Sequence, residues 1–244
     1  MIGIIDTFKK IYSGNNILLK HTILFVLTGL VAMISLPVNE LSSVENLSNS
    51  QWWTLLLCLI FIFIIGIYTF GYLYNFINAS FNRENMDIVP EFDLSHFNTG
   101  FKGFLIALCW ILYFVAFAVL GLMFTVLSKL IGTIAFVSVF ILGILFMSMQ
   151  PMLFVDFARE RSVKGFLNIL QPFKYIKKTL GYVVILLLKL LPIYIFIFLL
   201  QAVCFMLPNV LTYILTAICG YFMFIYNMVL NYQYAQILEE KYYN

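Results

Sequence analysis

The side chains best suited to metal, redox or proton-transfer chemistry are His21, His96, Lys189 and four cysteines, Cys58, Cys109, Cys204 and Cys219. All four cysteines fall inside apolar runs without C-x-x-C spacing, so they read as small hydrophobes and suggest neither a disulfide framework nor a zinc site. His21 stands at the foot of the first apolar run and His96 in a polar connecting segment. As a metal pair they lack further ligands at suitable spacing, and as interfacial side chains they need none. The chain carries no H-E-x-x-H, no G-x-S-x-G, no Walker loop and no Rossmann glycine pattern. No catalytic residue, metal or cofactor is therefore expected, and the chain reads as non-enzymatic.

Lys189 is the most informative single residue, because a charge inside a long apolar run is costly and is by default a functional hypothesis. It lies eight residues past Gly181, about 9–12 Å into the run at 1.5 Å per helical residue. Helical side chains lean toward the N-terminus, so its ammonium can snorkel back to the near interface, or pair with Asp156. Other polar groups recur at comparable depth: Asn75, Asn78, Gln150, Asp156, Asn227, Asn231 and Gln233. Most such amides bond between helices. If they converge with Lys189, they form a polar vestibule suited to a lipid headgroup or a small anion.

The elements that must position these groups follow from composition. The 244 residues are 63% hydrophobic and 10% charged, against about 45–50% and about 25% in soluble domains. A soluble fold of this size cannot bury so much apolar surface, whereas a bilayer accepts it and demands only that backbone groups be satisfied internally. Stretches such as Leu55 to Ile67 are apolar on every side, which excludes the alternation of barrel strands. The expectation is a single all-α polytopic membrane domain over 1–244. Spanning windows of about 20 residues fall near 18–37, 53–78, 104–128, 131–156, 182–207 and 210–236. That gives about six transmembrane helices, read as three helical hairpins. Pro151 and Pro192 fall inside the fourth and fifth windows and predict kinks. Leu30 to Val38 offers no cleavage-like A-x-A site, so the first helix is expected to remain.

Lysine and arginine set the orientation. Lys9, Lys10, Lys20, Arg83, Lys102, Arg159, Arg161, Lys164, Lys174, Lys177, Lys178 and Lys241 fall on one side and Lys129 alone on the other. This places both ends of the chain in the cytoplasm and the protein in the cell membrane. Trp52 and Trp53 then sit at the outer interface. The apolar period of Ile4, Ile5, Phe8, Ile11 and Tyr12, and of Phe166, Leu167, Ile169, Leu170, Phe173 and Ile176, predicts amphipathic segments that lie on the bilayer or pack on one another. Their lysines, Lys164, Lys174, Lys177 and Lys178, are candidates for anionic lipid headgroups, at about 1 kcal/mol each. Membrane lipids are the expected partners; nucleic acid is not, and assembly with like or unlike membrane chains stays open. Phe81-Asn82-Arg83-Glu84 recurs as Phe157-Ala158-Arg159-Glu160, which suggests internal repeats over 1–80, 81–156 and 157–244.

Gly71-Tyr72-Leu73, then Val89-Pro90-Glu91-Phe92-Asp93, then Phe97 and Gly100 leading into an apolar run, resembles a prokaryotic, largely archaeal, membrane family catalogued as domain of unknown function 4013. More distantly the layout is similar to the membrane domain of some glycerophosphodiester phosphodiesterases. The resemblance implies a membrane protein and no activity. Where the family often has proline after the tyrosine of the next helix, Phe114 follows Tyr113. Physically, Pro90 stops any preceding helix, and Glu91 and Asp93 are placed to cap the next one, with ligand binding as the alternative.

Overall fold

The structure is a computed structural model that describes residues 3–44, 47–81, 88–127, 132–134, 137–138, 152–159, 171–204, 206 and 209–243. The described residues form helices and connecting turns. These are α1 (Ile4–Ile11), α2 (Ile17–Ser42), α3 (Asn49–Phe81), α4 (Ser95–Leu127), a helical segment 152–159, α5 (Gln171–Cys204) and α6 (Asn209–Leu238) with a π-helical turn at Glu239–Tyr243. Four stretches, Ile17–Ser42, Asn49–Phe81, Lys177–Cys204 and Val210–Tyr243, are long and apolar enough to cross a membrane. The fourth expected window, with Pro151, Gln150 and Lys164 close to it in the chain, falls largely outside the described residues.

Three boundaries differ from the sequence expectation. Helix α2 continues through Pro37 to Ser42, because a proline forfeits one bond and surrounding apolar residues keep the helix growing. Helix α4 starts at Ser95, nine residues before the expected window, since polar residues can ride on a helix beyond the apolar slab. The stretch holding Lys174, Lys177 and Lys178 is continuous with α5, which begins at Gln171. The expected separate in-plane segment is thus, from Gln171 onward, the first two turns of a long helix. Pro172 falls in its first turn, where a missing N–H costs nothing.

Between α1 and α2 the chain turns sharply, with Gly14 at φ 121° and Asn16 at φ 54°. Both lie in the left-handed region, which glycine enters freely and asparagine tolerates. The turn folds α1 back against α6 and buries Thr7 and Ile11. Helix α6 is the hub, touching α1, α2, α3 and α5. Its contact with α2 uses small residues: a Cβ on Gly220 would come within 2.9 Å of the Ala32 Cβ and 3.0 Å of the Thr28 carbonyl, the close approach typical of helices packing in lipid.

Packing is concentrated at one end. Tyr72, Phe76, Ile77, Val155, Tyr175, Tyr232 and Leu238 are buried together near α1 and the π-helical turn. Toward the other end Trp52, Trp53, Leu57, Phe61, Phe196 and Phe198 face outward. Only 11% of the most apolar stretch of α3 is buried within the protein. Lipid is the solvent that makes such a surface tenable.

Candidate functional site

The residues of the Gly-Tyr and Pro-Glu-Phe-Asp motifs come together in one knot at the α3–α4 crossing. A Cβ on Gly71 would lie 1.8 Å from the His96 carbonyl oxygen, and one on Gly100 would lie 1.8 Å from that of Ile67. The backbones therefore meet with no room for a side chain. Above the crossing, Tyr72 stacks on Phe92 with ring centroids 5.0 Å apart and donates to the Pro90 carbonyl at 3.2 Å. Asp93 accepts the Ser95 N–H at 3.0 Å and so caps α4. That hydrogen bond holds the Asp93 carboxyl below its usual range. His96, buried, joins Asn75 at 2.6 Å through Nδ1 and the Glu91 carbonyl at 2.8 Å through Nε2. The nitrogen facing a carbonyl must carry the proton, so Nε2–H donates and Nδ1 accepts from Asn75.

A family model described as Protein of unknown function (DUF4013) matches residues 54–206, more than half of the chain. The chain belongs to that family. No curated protein and no solved structure matches it. The motif that marks this DUF4013 chain thus builds a structural joint: its glycines permit the crossing, and its aromatic, proline and aspartate set the approach to α4.

Lys20, a residue outside the motif, completes the joint. It is 2% exposed, donates to the Val89 carbonyl at 2.8 Å and meets the Glu91 carboxylate at 2.9 Å. Glu91 remains largely exposed, so the pair is half solvated. Sequence reasoning missed Lys20 as a partner of the motif and read His96 as merely interfacial. A lysine at the foot of the first apolar run was the available signal.

Among the described residues, the side chains expected to form one vestibule fall in several places, with Asn227 beside Asn231 on one groove and Lys189 beside Gln233 on another. Asn75 is engaged by His96, and Asn78 donates to the Ala158 carbonyl at 2.7 Å. Asp156 accepts from Tyr175 at 2.5 Å and from Tyr243. Arg159 stacks on the Tyr243 ring at 3.5 Å. Asn227 and Asn231 donate back into their own helix, to the carbonyls of Met223 and Asn227. Lys189 makes no ion pair among the described residues and lines a separate groove of about 460 Å³ with Gly3, Ile4, Ile5, Asp6 and Gln233. It does not meet Asp156. Gln150 lies outside the described residues. His21 is likewise apart from His96: it contacts the Ile11 carbonyl at 3.0 Å and the Tyr221 hydroxyl at 2.7 Å, with Tyr12 stacked on it at 4.3 Å.

Basic side chains gather at the packed end. Lys174, Lys177 and Lys178 are exposed on the first turns of α5, and Lys164 lies outside the described residues. Lys178 sits over the Tyr242 ring at 5.4 Å and Lys241 over Tyr182 at 4.7 Å. Among the described residues, Lys174 and Lys177 make no ion pair.

Proposed function

We propose that this DUF4013 protein is a non-enzymatic membrane scaffold that holds anionic lipid. Its chain crosses the cell membrane about six times as three hairpins, corresponding to repeats 1–80, 81–156 and 157–244, with both ends of this chain in the cytoplasm. The reading is carried by the lysines of α5: Lys174, Lys177 and Lys178 are exposed at the head of an apolar stretch, and for Lys174 and Lys177 no carboxylate among the described residues competes for the ammonium. Phosphate groups of the adjoining leaflet are the anions nearest to hand. At about 1 kcal/mol per lysine, neutralising all three lowers the preference for anionic over zwitterionic lipid by on the order of 100-fold at low salt.

The test is native mass spectrometry or nanodisc exchange of wild type and the triple variant K174Q/K177Q/K178Q, with phosphatidylglycerol against phosphatidylcholine. Equal lipid preference in the two proteins, or a preference insensitive to salt, refutes the reading. Transport of a small or anionic solute is the second reading, favoured by Asn227 and Asn231 lining a groove. It requires cysteines placed at positions 189, 227 and 231 in a cysteine-free background to react with aqueous reagents.

A further inference from the structure

Between α3 and α6 lies a groove of about 350 Å³ whose wall includes Phe70, Tyr74, Phe154, Phe224, Asn227 and Asn231. That volume is at the lower end of small-ligand sites, which run from about 300 to about 1,000 Å³. Phe70 stands at its mouth, 58% exposed, while Tyr74 and Asn231 are buried at its floor. One turn from Phe70 along the same face, a Cβ on Gly66 would meet nothing within 4 Å. Open space at Gly66 leaves the apolar outer surface of α3 beside Phe70 free for an alkyl chain.

Polar groups in the wall are uncharged. Thr69 turns its hydroxyl back to the carbonyls of Ile65 and Gly66, and the Tyr74 ring packs its edge over Gly103 of α4. What remains is the asparagine pair, one turn apart. Each Nδ2 donates to its own helix, Asn227 at 3.0 Å and Asn231 at 2.8 Å. An amide whose nitrogen faces its helix turns its oxygen outward, and neither Oδ1 accepts a hydrogen bond among the described residues. Asn231 is only 8% exposed. Its Oδ1 is nevertheless not sealed off, so a polar group entering the groove can reach it.

We infer that this groove binds a neutral lipid carrying a free hydroxyl, its head on Asn227 and Asn231 and its chain leaving past Phe70 and Gly66. The hydroxyl donates to an Oδ1 and accepts from a remaining amide N–H, a match for both faces of the pair. A charged head is disfavoured because the wall supplies no counter-charge. The site is independent of the lysine collar, since none of the collar residues lines it.

The experiment uses the full chain in detergent or nanodiscs, with dioleoylglycerol and its methyl ether as probes and native mass spectrometry as the readout. Dioleoylglycerol is expected to bind saturably, with the ether about tenfold weaker. N227L and N231L each lower diacylglycerol affinity about three- to tenfold, and the double variant binds both probes alike. L73W, which fills the groove, abolishes binding and serves as a second handle if an asparagine variant does not fold. K174Q/K177Q/K178Q leaves it unchanged, so failure here is distinguishable from failure of the collar. Equal binding of alcohol and ether, indifference to the asparagine substitutions, or non-saturable uptake by every variant overturns the inference.

Discussion

Replacing Gly71 by alanine tests whether the motif is a helix joint. The added Cβ would lie 1.8 Å from the His96 carbonyl oxygen and 2.8 Å from the Gly100 nitrogen, whereas ordinary contact begins near 3.4 Å. The obstructing atoms are backbone, so no rotamer change relieves them. Helices α3 and α4 must separate by about 1.6 Å, the difference between those two distances. Overpacking of this kind costs about 1–3 kcal/mol. Separation also stretches the Asn75–His96 hydrogen bond, which spans the crossing and contributes about 0.5–1.5 kcal/mol. The expected loss is about 1.5–4.5 kcal/mol, or a fall in Tm of roughly 5–15 °C for a chain of this size. Thermal unfolding in mild detergent, followed by fluorescence-detected size exclusion, measures it. G66A is the control, because open space surrounds that position. Should G71A melt together with G66A, the crossing described here is wrong.

Other expectations follow from single contacts. K20M removes the buried donor to the Val89 carbonyl and should cost about 1–3 kcal/mol, while E91Q should cost under about 1 kcal/mol because that carboxylate is exposed; unfolding midpoints in detergent give both. Asp93 titrates below its ordinary 3.8 because the Ser95 N–H favours the carboxylate. Its contribution is present above 3.8 and is lost as pH falls through the lowered value, so wild type should lose more Tm than D93N between about pH 6 and about pH 3. The Cys204 and Cys219 sulfurs lie 3.8 Å apart, so divalent mercury should bridge them and protect both from alkylation counted by mass spectrometry, while C58S and C109S leave the protection intact.

The apolar runs were legible because lipid-facing helices need nothing beyond length and hydropathy, and α2, α3, α5 and α6 lie where those runs predict. The motif was legible as a cap: Pro90 and Asp93 act through local geometry that sequence order fixes. Its tie to Lys20 was not, since that contact joins residues 69 and 71 positions apart, with most of α2 and all of α3 between them in the chain. The start of α5 was misread because the lysines and apolar residues of 171–178 keep a helical period that an in-plane segment would share. Depth along a helix can be counted from residue numbers, which is why Asn75, Asn78 and Asn227 were grouped. Direction around the helix cannot be read where every face is apolar. Those amides consequently point to three different neighbours: a histidine ring, a neighbouring carbonyl and their own helix.

The hub position of α6 bears on assembly. Helices α2, α3 and α5 precede it in the chain, yet each touches it. Until α6 is made, the small-residue seam of α2 and the side of α5 that meets α6 have only lipid or a foreign helix against them. Insertion therefore passes through a stage with an open slot, closed when the late-arriving helix slides in. Any membrane chaperone that attends this family has that slot to shield, and truncations that stop before α6 leave it permanently unfilled.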